Sequence, residues 1–341
     1  MEKDKMKSSK PKEKAARKSS KQINTTPLYV LLLLMLAIYI GGQSIRIIAY
    51  ISGIIAVILI AALLILEIKN SLNETGYAKN MIELAAAILL VIVFWFALRF
   101  LLNTTNPIDV VPSCSMLPAL QRGDLILIQG IGTSISSIKA PTVQITKSQA
   151  VNLANGSESL ECVAYRYSGQ GAYISQYFSA GDSVGLYRNS PYGGQIIPQG
   201  GQGNNTVKYT CGIQQVRFEN GTMRSEAYTS SISILNHTIS GDLNNSVIVY
   251  MTTPSDLFYQ EGDSFIVHRV YAILNASGTY YFLTKGDNNP GLDMQYSNIP
   301  ANITQVQGVV LLNLPYLGYL KLLLSGSTVP PSGCNSTVVS A

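Results

Sequence analysis

Two serines separated by one residue, Ser113 and Ser115, stand in the stretch 111–128, VPSCSMLPALQRGDLILI. Met116 and Leu117 follow, the chain turns at Pro118, and Gly123-Asp124 leads into Leu125-Ile126-Leu127-Ile128, an apolar run that reads as a buried strand. A hydroxyl on a constrained turn at a strand edge is placed as a nucleophile would be. It is a weak nucleophile at neutral pH, however, and needs a base to take its proton. The chain holds two histidines. His237, inside Asn236-His237-Thr238, reads as part of an exposed loop and is given no role. His268 sits in Ser264-Phe265-Ile266-Val267-His268-Arg269-Val270-Tyr271-Ala272-Ile273, a predicted strand that is apolar except around that histidine. Alone, such a histidine reads as a hydrogen-bonded core residue; Ser115 and an acid-bearing block in the same chain turn the reading towards a general base.

That block is Thr284-Lys285-Gly286-Asp287-Asn288-Asn289-Pro290-Gly291-Leu292-Asp293. An imidazole that accepts a proton needs a buried carboxylate to fix its tautomer and balance its charge, and Asp287 and Asp293 are both available. Acids in such turns also cap their own backbone, so on the residues alone both uses stay open. Lys285 keeps a serine–lysine dyad open as well, although pairing to Asp287 is the simpler expectation.

These residues resemble the type I signal peptidases, the membrane-bound serine peptidases that cut signal peptides from exported proteins. The resemblance lies in Ser113, Ser115, Met116 and Pro118 followed by Gly123-Asp124, in a second Gly-Asp at Gly241-Asp242, in Val267-His268-Arg269-Val270 and in the block ending at Asp293. It covers about 105–130 and 241–320. The family usually has Gly where this chain has Cys114. Its bacterial branch has Lys at the position of His268, so the match is to the archaeal and endoplasmic-reticulum branch. Relatives often carry two adjacent acids where this chain has Leu292 before Asp293. The resemblance implies a catalytic set of Ser115 as nucleophile, His268 as base and Asp293 as its carboxylate. It also implies an oxyanion hole from the Ser113 hydroxyl and the Ser115 amide, with Asp287 and Lys285 as supporting residues. Met116 and Leu117 are expected to contact substrate or membrane, and no metal or cofactor is called for.

The elements that must position these groups begin with a tail. Residues 1–22 hold nine Lys/Arg and three Asp/Glu, a net of +6 within a chain of +5, so the remainder is close to neutral and nucleic-acid binding by the folded part is not suggested. The tail is expected to be solvated and cytosolic. Apolar runs at about 25–44, 47–66 and 81–102 are expected to be three transmembrane α-helices, each of roughly 20 residues for a hydrocarbon core of about 30 Å. By the charge asymmetry of the loops, everything beyond about Leu102 then lies outside the cytosol. N-x-S/T triplets agree: nine fall beyond the last run, at Asn103, Asn155, Asn204, Asn220, Asn236, Asn244, Asn275, Asn302 and Asn335, against Asn24 and Asn73 on the inner side.

The expected fold class is therefore three N-terminal transmembrane helices followed by a mostly β extracytoplasmic domain of signal-peptidase type. Residues 103–130 and 241–324 form its core. Residues 131–240, rich in Gly, Ser, Gln, Tyr and Asn, read as a β-rich insertion of short strands, with a mobile loop at 193–205. Residues 325–341 read as a tail, and the run after Pro315 as a surface that can touch a membrane. Four cysteines allow three pairings; Cys162 with Cys211 is the one expected, because Cys114 adjoins the serine.

The function expected is removal of signal peptides from exported preproteins at the outer face of the cell membrane, with the endoplasmic reticulum membrane as the alternative site. Expected partners are signal peptides, the lipid bilayer and the protein-translocation channel. Two competing readings remain: a non-enzymatic glycosylated adhesin or receptor, and a processing peptidase dedicated to a few surface-protein precursors.

Overall fold

The computed structural model describes residues 24–41, 46–74, 77–132, 134–155, 162–168, 171–174, 177–179, 184–187, 201–202, 207–331 and 333–340. The basic tail and most of the expected loop at 193–205 lie outside them. Three helices come first: α1 (Thr26–Gly41), α2 (Arg46–Glu74) and α3 (Tyr77–Leu101). They correct the expectation of three membrane spans, because among the described residues no helix is long and apolar enough to cross a membrane. α1 has 16 residues, about 24 Å at the α-helical rise. In α3 Glu83 and Arg99 bound an uncharged stretch of only about 22 Å by the same rise. Tyr39 of α1 is buried against Gly53 of α2, where a Cβ would lie 3.3 Å from its ring, and its hydroxyl donates to Pro315 O at 3.2 Å. The helix pair is thereby joined to the β domain.

The first strands are β1 (Ile108–Val110), β2 (Leu125–Gln129) and β3 (Thr142–Gln144), followed by the helix α4 (Lys147–Asn155). Five shorter strands come next: β4 (Val163–Ser168), β5 (Gly171–Ile174), β6 (Tyr177–Phe178), β7 (Val184–Tyr187) and β8 (Gly201–Gln202). Then come β9 (Val207–Phe218), β10 (Met223–Ile234), β11 (His237–Ser240) and β12 (Val247–Met251). A one-turn helix, α5 (Leu257–Gln260), precedes β13 (Phe265–Ala276), β14 (Thr279–Lys285), β15 (Ala301–Asn302) and β16 (Val306–Leu314), and α6 (Tyr319–Leu324) precedes β17 (Ser336–Ser340).

The main sheet has the order β1-β2-β16-β12-β13-β14-β15, with β3 on the far half of β13. Its pairs are antiparallel except β3 with β13, which is parallel. Val, Leu and Ile are the commonest residues in these strands, as a buried sheet requires. The β13–β14 hairpin turns through Ser277 and Gly278, both at positive φ, the geometry of a two-residue turn that matches strand twist. Because side chains alternate and cross-strand partners share a face, Ile248, Tyr250, Ile266, His268, Val270 and Thr284 lie together on one face.

A second sheet, ordered β11-β10-β9-β17 with β6 on β10 and β8 on β9, holds the longest strands of the segment expected as an insertion, and β5-β4-β7 form a third. In place of strands of five or six residues, β9 and β10 form a ribbon of 12 residues each. Two boundaries also shift. Residues 142–144 belong to the main sheet through β3, and the expected C-terminal tail supplies β17, paired with β9.

Candidate active site

The serine turn is fixed at both ends by the Gly-Asp that follows it. Gly123 adopts φ +87°, and a Cβ there would fall 2.2 Å from the Tyr319 ring, so only glycine fits. Buried Asp124 accepts Gln121 N and Asn313 Nδ2, each at 2.9 Å, and Tyr316 N at 3.3 Å. The loop is thus tied to the end of β16. Beneath it Met116 is 1% exposed, packed with Val111, Leu120, Ile126, Ile128 and Val249. This corrects the expectation that Met116 touches substrate or membrane: it is an apolar anchor for the turn. Leu117 is half-buried, on a cis bond to Pro118. Cys114 is not among the residues at positive φ, so the backbone does not call for glycine there. It is instead bonded to Cys334.

Ser115, His268 and Asp293 meet across 178 residues of chain. Ser115 Oγ is 2.9 Å from His268 Nε2, and His268 Nδ1 lies 2.8 and 2.7 Å from the two oxygens of Asp293. His268 and Asp293 are each 3% exposed. The main sheet carries the imidazole on β13, and the 3-10 turn Asp293–Tyr296 lays the carboxylate over the same face. Phe258 meets the ring edge-on, with centroids 6.0 Å apart. Burial by itself would raise the Asp293 carboxyl; the charge and hydrogen bond of His268, with Thr284 and Tyr250, hold it below its ordinary value instead. Ser113 Oγ is 3.2 Å from Ser115 Oγ, so a second hydroxyl adjoins the first.

The remaining expected residues separate. Asp287 does not pair with Lys285: Arg269 takes it in a two-point contact, Nε to Oδ1 at 2.8 Å and Nη2 to Oδ2 at 2.7 Å. The reason is register. Arg269 and Lys285 face each other across β13 and β14, on the side opposite His268, and the planar guanidinium fits a carboxylate better than an ammonium does. Lys285 Nζ donates to Gly286 O at 3.2 Å, so the lysine of a serine–lysine dyad is on the wrong face. Arg269 also donates to Leu243 O and Asn245 O, fastening the second Gly-Asp loop. Cys162 is bonded to Cys211.

Three contributors were not legible in the sequence. Tyr250 donates to Asp293 Oδ2 at 2.9 Å, and Thr284 Oγ1 donates to the Tyr250 hydroxyl at 3.4 Å. Asn288 gives its backbone N–H to Ser115 O at 2.8 Å. Gly286 lets that turn approach, since a Cβ there would stand 2.7 Å from Ser115 O. Strand alternation could have placed Tyr250 and Thr284 on the histidine face; nothing in the pattern singles out Asn288.

The site opens into a cleft of about 570 Å³, whose lining includes Ser113, Ser115, His268, Tyr177, Phe258 and Tyr296. Among the described residues no cluster of His, Cys, Asp and Glu suited to a metal ion occurs. A hydroxyl, an imidazole and a buried carboxylate in series can deprotonate the serine, stabilise the imidazolium and return the proton to a leaving group, which is the chemistry of acyl transfer. Comparison with protein-family models, with characterised proteins and with solved structures finds no match to this chain.

Proposed function

We propose that this protein is a serine endopeptidase that cleaves signal peptides from exported preproteins. The observation that carries the reading is the unbroken series Ser115 Oγ to His268 Nε2 to Asp293, at 2.9 and 2.7 Å. In the proposed step Ser115 Oγ attacks the scissile carbonyl carbon while His268 takes its proton. The carbonyl oxygen, now anionic, is met by the Ser113 hydroxyl and the Ser115 amide. His268 then protonates the departing amine, leaving an acyl-enzyme that water resolves by the same route. Two further features favour an exported precursor as substrate. Two disulfides suit an oxidising compartment outside the cytosol. α6 and the adjacent strand end expose Leu311, Leu312, Leu320, Leu323 and Leu324, an apolar surface on which a bilayer and the helix of a signal peptide can rest.

The test is incubation of a tagged preprotein with the wild type, Ser115→Ala and His268→Ala. Cleavage at one site by the wild type alone is expected. Equal processing by all three would end the peptidase reading and leave the surface-glycoprotein class.

A further inference from the structure

The C-terminal strand β17 is fastened to the serine turn. Cys334 is bonded to Cys114, the residue between the two serines, across a sequence separation of 220. Asn288 spans the same gap: its Nδ2 donates to Cys114 O at 3.3 Å and to Ser336 O at 2.9 Å, while its Oδ1 accepts from Val338 N at 2.8 Å. Ser336 O and Val338 N are the groups a neighbouring strand would pair with, so one side chain closes the strand edge that faces the turn. The other edge is held by β9, through Thr337 opposite Arg217 and the bond from Glu219 N to Asn335 O at 3.0 Å. Ser336 is buried, with Tyr177 Oη 3.4 Å from its Oγ.

These ties bring Pro331, Gly333, Asn335 and Ser336 into the lining of the cleft that holds Ser115 and His268. A peptide that reaches the serine therefore runs against a wall supplied by the far end of the chain and backed by the second sheet. We propose that Pro331, Gly333, Asn335 and Ser336 set substrate selection, limiting the bulk of the side chain next to the scissile bond, and that the Cys114–Cys334 bridge and Asn288 hold them against the serine turn. The inference rests on the peptidase reading.

The experiment uses the full-length protein and two tagged preproteins that differ only in Ala or Leu immediately before the cut. In the wild type Ala is favoured. In Cys114→Ala/Cys334→Ala the Ala-over-Leu ratio of kcat/KM falls roughly tenfold or more, because one pocket contact discriminates by about that factor. With the bridge intact, Asn335→Trp narrows the cleft and moves the ratio the other way, which decides the matter even where the unbridged variant does not fold. A ratio unchanged in both variants, or an equal loss on both substrates, overturns the wall. Ser115→Ala separates the two levels. Ser115-dependent cleavage with an unmoved ratio sinks this inference alone, whereas cleavage independent of Ser115, or none by the wild type, sinks the peptidase reading with it.

Discussion

The hydroxyl of Tyr250 donates to Asp293 Oδ2 at 2.9 Å, the oxygen that also lies 2.7 Å from His268 Nδ1. One carboxylate oxygen is therefore shared by the imidazole and a phenol 3% exposed. Burial first, and the Asp293 charge second, push the Tyr250 hydroxyl well above its ordinary value, so it is a fixed donor throughout the working range. Tyr250→Phe removes that donor and keeps the ring. The carboxylate then loses a donor that fixes its orientation toward His268. Looser aim of the carboxylate lowers kcat about fivefold, the scale of one hydrogen bond of about 1 kcal/mol. A kcat equal to that of the wild type would show that Tyr250 only fills space.

Ser113 Oγ, 3.2 Å from Ser115 Oγ, is offered as a donor to the developing oxyanion. Loss of one such donor costs about a hundred- to a thousandfold in kcat. Ser113→Ala is expected to show that loss with KM and thermal midpoint nearly unchanged, since the side chain is only half-buried. Steady-state kinetics with the preprotein checks it, and an unchanged kcat removes Ser113 from the mechanism.

How much of this could be read beforehand divides along physical lines. The strand around His268 was legible because its apolar run is long and interrupted only where the chemistry sits. The serine turn was legible because Gly123 and Asp124 punctuate it. What escaped notice depends on register and on long loops. The pairing of Arg269 rather than Lys285 with Asp287 follows from which residues oppose each other across the hairpin, which periodicity alone does not fix. The bond from Cys114 to Cys334 closes 220 residues, and no local pattern distinguishes it from the other pairings. The helices illustrate the converse error: hydrophobic runs located them, but α1 has only 16 residues and charges at Glu83 and Arg99 shorten the apolar part of α3.

Lys285 offers a test of stability. Burial lowers its amine below the ordinary lysine value, with Asp287 acting in the opposite direction, so the folded chain binds that proton less readily than the unfolded one. The cost is full at neutral pH, where both states are charged. It is relieved as pH rises through the folded value towards the unfolded one, about 10.4. Lys285→Met keeps the stem and deletes the charge. It is expected to stabilise the protein by about 1 kcal/mol at pH 7, an advantage that shrinks at high pH. Urea midpoints at pH 7 and pH 10 measure the difference; a destabilised variant at pH 7 would assign the amine a favourable ion pair instead.

Asp293 has the opposite sign. Its carboxyl is held below the ordinary value in the folded chain, since burial, which raises it, is outweighed by His268, Thr284 and Tyr250. Above the unfolded value of about 3.9 both states are ionised and the stabilisation is complete. As pH falls below that value the unfolded chain takes up the proton first and stability is lost towards the folded value, at up to about 1.4 kcal/mol per pH unit for one proton. Asp293→Asn cannot take part in this exchange. Its urea midpoint should therefore lie below the wild type at pH 6 and converge with it towards pH 3, while kcat drops by about 10⁴ because the imidazole loses its tautomer guide. Midpoints running parallel between pH 6 and pH 3 would mean that the carboxylate does not carry the acid sensitivity of the fold. A kcat within tenfold of the wild type would detach Asp293 from the chemistry of Ser115.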